Sequence, residues 1–242
     1  FPTHYTILYV SQLVQAYGIG EAIEKHRMKR PHCMGTLYWQ LNDCWPVASW
    51  SSIDYYGNWK ALHYKVREKF APTIIATNKK DLQTYDIYVV TDLLKKMEGQ
   101  LIIEECTYAG QVLHQETHPI QVKPNTSTFV FTYHSNPEAA DSKYLKVTFK
   151  DQKGKTIAQK VELYDMTFIP NEAKNFHYEV VKKGARYEIT FTTDYFMKGI
   201  MISTNPNIKG KYSDNYFDLL PGETRKVIFT PAKSSSKPIT FG

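Results

Sequence analysis

Residues 144–149 read Tyr-Leu-Lys-Val-Thr-Phe, and residues 85–90 read Tyr-Asp-Ile-Tyr-Val-Val. Apolar and polar side chains alternate in such runs, which is the period of a β-strand that buries one face. Further runs of this texture lie at residues 99–103, 126–131 and 155–164. Because turn residues separate the runs, they predict one antiparallel β-sandwich of immunoglobulin-like size over residues 71–166.

A second group of short alternating runs follows a break near residues 169–171. Its first members are residues 176–181, 186–192 and 199–204. The turn Leu220-Pro221-Gly222-Glu223 then leads into a run over residues 225–230. This group predicts a second, smaller Ig-like β-sandwich over residues 167–242, so the fold class is mainly β.

The N-terminal residues follow a different pattern. Apolar residues recur at helical spacing over residues 4–28, and an apolar run over residues 34–41 is typical of a buried strand. Asn58 is a suitable cap for a second helix that continues to about Lys69. Helix, strand and helix predict an α-β-α piece of an α/β layer or barrel over residues 1–70, which cannot close a sheet alone.

Composition excludes several classes of function. The net charge is +6, but Lys and Arg are spread along the chain and their densest run, residues 25–30, is short, so we expect no nucleic-acid partner. Three cysteines without CxxC or His-rich spacing predict no disulfide framework and no zinc site. No cofactor and no other metal are expected. No apolar run approaches the roughly 20 residues that span a bilayer, so we expect no membrane segment.

Residues suited to chemistry are concentrated between Tyr38 and Trp59. Three strings contain most of them: Leu-Tyr-Trp-Gln-Leu-Asn-Asp-Cys-Trp-Pro at 37–46, Ser-Trp-Ser-Ser at 49–52 and Trp-Lys-Ala-Leu-His-Tyr at 59–64. Over residues 35–72 the sequence resembles the eighth barrel strand, loop and helix of the β-mannosidases in glycoside hydrolase family 2. Residues 217–222, Phe-Asp-Leu-Leu-Pro-Gly, resemble part of the last domain of those enzymes.

This resemblance implies the C-terminal part of a retaining enzyme that hydrolyses terminal, non-reducing β-D-mannose residues. Residues 1–70 would then be the end of a truncated (β/α)₈ barrel, and two β-sandwich domains would follow it. Family kinship leaves β-galactosidase and β-glucuronidase as alternatives. The implied partners are a mannoside or oligosaccharide substrate and the missing N-terminal domains of the parent chain. A lysosomal or periplasmic location is implied in the same way.

The predicted sugar contacts lie at the end of the barrel strand. Because a (β/α)₈ enzyme binds its substrate at the C-terminal ends of the strands, residues from Trp39 onward should face the sugar. Trp39 is predicted to form a floor under the sugar ring, and the loop with Asn42, Asp43 and Trp45 is predicted to shape the rim. The alternative is that Trp39 fills the barrel and that Trp45 and Trp50 pack the loop against the following sandwich.

No catalytic residue is predicted in this chain. Retaining hydrolysis needs two carboxyl groups about 5 to 5.5 Å apart. Asp43 and Asp54 are the carboxylates near the predicted strand, and both lie in one loop rather than on opposing strands. The resemblance places both catalytic glutamates on earlier strands, so we expect the chain to be inactive by itself.

Two other groupings of reactive residues are interpreted as incidental. Ser51 or Ser52 could pair with His63, but the chain has no Gly-x-Ser-x-Gly elbow, so this spacing is taken as a coincidence. His114 and His118 would point to one face of a strand and are expected to be surface residues.

A function of a different class remains open. The chain could be a non-catalytic carbohydrate-binding or scaffold protein whose sandwiches bind glycans through tyrosines such as Tyr195, Tyr212 and Tyr216. An exposed aromatic platform on a sandwich would favour that function.

The predicted truncation has a physical consequence. The chain begins with Phe1 and shows no signal pattern, so we expect it to be cut from a longer protein. A barrel piece without its neighbours exposes an apolar face. We expect self-association, or packing of that face onto the first sandwich.

Overall fold

The computed structural model describes residues 4–135, 143–164, 175–233 and 239–242. Its two helices within these ranges are α1, His4–Met28, and α2, Ala61–Lys69. The predicted helix over residues 4–28 is therefore confirmed. No described helix combines the length and the hydropathy needed to cross a membrane.

The described residues form two compact units. One unit takes its residues from 1–19, 38–66 and 170–242, and the other from 20–37 and 67–169. Each unit thus contains one sandwich and part of the N-terminal 70 residues. The division into domains at 1–70, 71–166 and 167–242 stays a prediction, and its second boundary lies outside the described residues.

The first sandwich contains seven strands within the described ranges. They are β1 Thr73–Lys79, β2 Thr84–Thr91, β3 Met97–Thr107, β4 Val112–Val122, β5 Ser127–His134, β6 Lys143–Asp151 and β7 Thr156–Leu163. All pairings are antiparallel, in one sheet of order β1-β2-β5 and another of order β4-β3-β6-β7. The five runs predicted in this region correspond to β2, β3, β5, β6 and β7, so the sandwich is confirmed.

Alternation along the strands builds the core of the first sandwich. On β3, Leu101 and Ile103 are fully buried, whereas Ile102 and Glu104 are partly exposed. The buried side chains meet those of the facing sheet in one cluster that includes Tyr85, Ile87, Val89, Leu145, Val147 and Phe149. Truncating such a side chain to Ala costs about 2–5 kcal/mol of unfolding free energy, so this cluster fixes the strand register.

A buried charge cluster attaches the C-terminal half of α1 to this sandwich. The carboxylate of Glu24 lies fully buried and pairs with the ammonium groups of Lys69 and Lys160. Glu24 also accepts a hydrogen bond from the backbone N–H of Thr77 at 3.0 Å, and Lys160 pairs with Glu162 at 3.0 Å. Burial alone would raise the pKa of Glu24, but Lys160 and Lys69 outweigh it and lower that pKa to about 2.

The second sandwich is built from shorter strands. They are β8 His177–Lys183, β9 Arg186–Thr192, β10 Met197–Ile200, β11 Thr204–Asn205, β12 Gly210–Tyr212, β13 Phe217–Leu219, β14 Thr224–Pro231 and β15 Thr240–Phe241. The main sheet has the order β12-β14-β9-β8, and β10-β13 and β11-β15 pair separately. Its core contains Ile189, Phe191, Phe217, Leu219, Val227 and Phe229. The second predicted Ig-like sandwich is therefore confirmed.

The strand predicted over residues 199–204 is wrong in its bounds. It is divided between β10 and β11, and the register of β10 shifts between Met197 and Ile200. Gly199 lies at this register shift with φ +65°, and a larger residue is excluded because a Cβ there would lie 2.8 Å from a Leu13 methyl group. Tyr9 donates a hydrogen bond to the Gly199 carbonyl at 2.7 Å, so α1 packs closely on this point of the sandwich.

The buried strand predicted over residues 34–41 is not formed. Leu37 is fully exposed, and no described strand lies beside this segment to supply ladder hydrogen bonds. A short parallel bridge joins Asn42 to Ile53 instead. A barrel strand needs neighbours on both sides, so the barrel piece itself stays a prediction.

Helix α2 begins at Ala61, three residues after the predicted cap. Asn58 belongs to a turn instead: its backbone N–H and its side-chain amide both donate to the Asp54 carboxylate, each at 2.8 Å. Asn58 therefore stabilises the turn that precedes α2.

Candidate functional site

The candidate sugar contacts lie in a segment without regular structure between α1 and α2. The side chains of Trp39 and Trp45 are 72% and 65% exposed, so neither indole is buried among the described residues. Asn42 is exposed as well, and its side-chain amide donates to the Asp43 carbonyl at 3.2 Å. These three predicted contacts are therefore free to meet a ligand or another part of the protein.

Asp43 is placed differently from the other three predicted residues. Its carboxylate is buried, accepting a hydrogen bond from the Ser49 hydroxyl and pairing with the Lys60 ammonium at 3.1 Å. The Ser49 hydrogen bond, with help from Ser51 and Lys60, lowers the pKa of Asp43 despite its desolvation. Asp43 therefore stays ionised and fixes the loop that carries Trp45.

A second set of contacts fixes the other end of the segment. The Ser52 hydroxyl lies 3.0 Å from each of the Tyr38 hydroxyl, the Leu41 carbonyl and the Nδ1 atom of His63. The Trp59 ring packs edge-on against His63, with centroids 4.3 Å apart. The loop is thus joined to the first turn of α2.

The Ser52–His63 contact was interpreted from the sequence as a coincidence of spacing. The structure brings the two groups into hydrogen-bond distance, but Ser52 is completely buried and its hydroxyl lies within hydrogen-bond distance of the Leu41 carbonyl. A nucleophile needs access to its substrate and an activating base. This pair therefore has a structural role.

The second carboxylate of the loop is engaged by its own turn. Asp54 accepts hydrogen bonds from the backbone N–H groups of Tyr56 at 2.9 Å and Asn58 at 2.8 Å. Both loop carboxylates, Asp43 and Asp54, therefore hold local structure. The prediction that catalytic residues lie outside this chain is compatible with that arrangement.

The two histidines of β4 share one carboxylate. His114 and His118 lie 3.0 and 2.9 Å from the two oxygens of Glu116, which places all three side chains on one face of the strand. Hydrogen bonds from His114 and then His118 lower the pKa of Glu116. Within the described ranges, no group of three or more His, Cys, Asp or Glu side chains is arranged to hold a metal ion.

Comparison with protein families identifies both sandwiches. The family model described as a mannosidase Ig/CBM-like domain matches residues 83–165. The Ig-fold domain called Ig_mannosidase matches residues 171–240. Each match lies within the region predicted for the corresponding sandwich.

Known proteins resemble the chain along nearly its whole length. The β-mannosidase of Bos taurus is 28% identical over 250 residues, which cover 95% of this chain and 28% of the bovine protein. The crystal structure of the Dictyoglomus thermophilum β-D-mannosidase superposes with a TM-score of 0.79 at 23% identity, covering 97% of this chain and 29% of that one. The Amycolatopsis orientalis exo-chitosanase CsxA has a TM-score of 0.69 at 15% identity, covering 90% and 31%.

The two structural likenesses show the fold, and the sequence comparisons show a likeness to β-mannosidases. The chain spans less than a third of the length of the relatives that it matches. Mannosidase-type domains account for both sandwiches, and a β-mannosidase aligns with the remainder as well. The chain is therefore similar along nearly its whole length to the C-terminal part of β-mannosidases, and its two sandwiches match mannosidase-type Ig-like domains.

Proposed function

We propose that the whole protein is a retaining exo-β-mannosidase that releases terminal, non-reducing β-D-mannose. The observation that carries this proposal is the alignment of 95% of the chain with the bovine β-mannosidase. That alignment extends beyond the two sandwiches into the Trp-rich segment, where contacts with a sugar are expected. A β-galactosidase or β-glucuronidase function is less favoured, because the sequence relatives are β-mannosidases.

Trp39 is the proposed floor of the mannose subsite. Its indole is exposed and offers a flat apolar surface for the C–H face of a sugar. The backbone on either side is fixed, by the Tyr38–Ser52–His63 contacts and by the Asp43–Lys60 pair. A rigid support of this kind reduces the entropy lost when a ligand binds. Asn42 and Trp45 are exposed in the same segment and are the proposed rim of the subsite.

The N-terminal domains of the parent chain are the proposed partners of this segment. Several apolar side chains of the unit that holds the second sandwich are exposed: Ile7, Val10, Val14, Trp39, Leu41, Trp45, Val47 and Trp50. A soluble protein rarely leaves such a set uncovered. We propose that the missing barrel covers part of it and supplies both catalytic carboxylates, so that the chain alone hydrolyses nothing.

The proposal is tested by turnover of aryl glycosides by the full-length protein. We expect the kcat/KM for an aryl β-D-mannoside to exceed that for the matching β-galactoside and β-glucuronide by at least two orders of magnitude. A preference for either of the other two glycosides, or the absence of all turnover, would overturn the proposed specificity.

A further inference from the structure

A small cavity lies between the 57–64 segment and the second sandwich. Its volume is about 180 Å³, and its lining includes the four aromatic side chains Trp59, Tyr64, Tyr212 and Tyr216. This volume suits a single six-membered ring with its substituents.

The cavity has a buried floor and a polar, exposed rim. Ile202 and Tyr64 are buried at its base, whereas Asn58, Asn207 and Lys211 are exposed at its mouth. Small-molecule sites commonly combine such apolar walls with a few polar groups that orient the ligand.

Asn215 braces the floor of the cavity. Its side-chain oxygen accepts hydrogen bonds from the backbone N–H groups of Ile202 at 2.7 Å and Tyr216 at 2.9 Å, and its amide donates to the Ile202 carbonyl at 3.0 Å. These bonds hold Tyr216 at φ +54°, a left-handed conformation that is costly for a bulky residue. Such conformations persist where the surroundings enforce them, and they cluster at ligand-binding sites.

The opposite wall is fixed before any ligand arrives. The Asp54 turn holds in place Asn58, which lines the cavity. Burial raises the pKa values of Tyr212 and Tyr216 to about 12, so both phenols remain neutral hydrogen-bond donors near neutral pH.

We propose that this cavity binds one pyranose unit of a carbohydrate. A pyranose has apolar C–H faces that pack on aromatic rings, and its peripheral hydroxyls match the amides and the ammonium of the rim. Tyr212 and Tyr216 were two of the three tyrosines proposed from the sequence as glycan contacts, and Trp59 completes the wall with them; Tyr195 is not part of the lining. No residue of the Trp39–Trp45 loop lines the cavity, so this inference does not depend on the proposed hydrolysis.

The test uses ¹⁹F NMR of the full-length protein labelled with 3-fluorotyrosine. Tyr212→Phe and Tyr216→Phe variants assign the two resonances. The ligands are methyl β-D-mannopyranoside, methyl β-D-glucopyranoside and the acyclic mannitol, which offers hydroxyls without a ring face. We expect a saturable shift of both resonances with at least one pyranoside and none with mannitol.

Substitutions of the rim residues test whether the ¹⁹F resonance shift comes from specific binding in the cavity. Lys211→Ala or Asn207→Ala should weaken binding roughly fivefold or more, the effect of one lost hydrogen bond. Lys226→Ala is the matched control, because Lys226 is exposed on β14 and does not line the cavity. The proposal is overturned if neither pyranoside shifts the two resonances, if mannitol shifts them equally, or if the Lys211 and Lys226 variants behave alike. Because the two labelled rings line the cavity, the result is independent of mannoside turnover.

Discussion

Glu24 of α1 and Lys160 of β7 form an ion pair inside the unit that contains the first sandwich, although 136 residues separate them in sequence. Both side chains are almost completely removed from solvent. Each of the two charges depends on the other, because a buried charge without a partner is very unfavourable.

Removing the cation should therefore be strongly destabilising. We predict that Lys160→Met lowers the unfolding free energy by about 3–5 kcal/mol, since it leaves the Glu24 carboxylate with less compensation. The measurement is urea unfolding followed by circular dichroism. Lys183→Met is the control: its pair with Glu188 at 2.9 Å is solvent-exposed and should contribute less than about 1 kcal/mol. Equal effects of the two substitutions would contradict this account of the cluster.

The same cluster predicts a loss of stability in acid. The pKa of Glu24 is lowered to about 2 in the folded protein, below its ordinary value of 4.5. The stability contributed by its ionisation is thus present above pH 4.5 and is lost as the pH falls toward 2. Unfolding free energies measured across this range should fall more steeply for the wild type than for Glu24→Gln. Glu21→Gln should retain the steep fall, because burial raises the pKa of Glu21.

The pKa of Asp43 offers a direct test of the loop contacts. Ser49 donates the hydrogen bond that lowers this pKa most, and Lys60 contributes less. We predict that Ser49→Ala raises the pKa of Asp43 more than Lys60→Met does, as measured by carboxyl ¹³C NMR titration. The stability linked to Asp43 is present above its unfolded pKa and is lost as the pH falls through the folded value. A larger rise in Lys60→Met would show that the charge pair dominates instead.

The strands that were predictable bury one face and expose the other. β3 shows this in its alternation over residues 100–104, and β9 was predicted with its observed bounds, Arg186–Thr192. β1 was missed because five consecutive residues, from Thr73 to Thr77, are buried, which removes the period of two. β4 was missed because it is an exposed edge strand with Pro119 and many polar residues.

The candidate sites were less predictable, because they depend on contacts between distant residues. The resemblance drew attention to Trp39 and Trp45, but nothing local indicated that Asp43 would be buried against Lys60. The cavity needed Trp59 to meet Tyr212 and Tyr216, about 150 residues further along the chain. The mistaken strand over residues 34–41 has a related cause, since hydrophobicity predicts burial without identifying the partner that provides it.

The exposed apolar side chains predict self-association of the isolated chain. We expect the 242-residue chain to elute from size-exclusion chromatography as a dimer or larger species, or to bind a hydrophobic dye if it stays monomeric. The full-length protein should neither self-associate nor bind the dye through this surface. An isolated chain that is strictly monomeric and binds no dye would contradict the proposed exposure.

The isolated chain should also be inactive. Both loop carboxylates are engaged in local contacts, and the pair of carboxyl groups needed for retaining hydrolysis is proposed to lie in the missing domains. A purified chain free of contaminating glycosidases should give no turnover of an aryl β-mannoside. Measurable turnover that persists through further purification would place catalytic groups within these residues.

The most direct test of the central claim is the effect of Trp39→Ala on the kcat/KM of the full-length protein for an aryl β-D-mannoside. We predict a fall of roughly 10² or more, or about 2.7 kcal/mol of lost transition-state binding. Trp50→Ala, which removes another exposed indole of the same segment, should change kcat/KM by less than about threefold. An unchanged kcat/KM in Trp39→Ala, or equal losses in the two variants, would contradict the assignment of Trp39 to the mannose subsite.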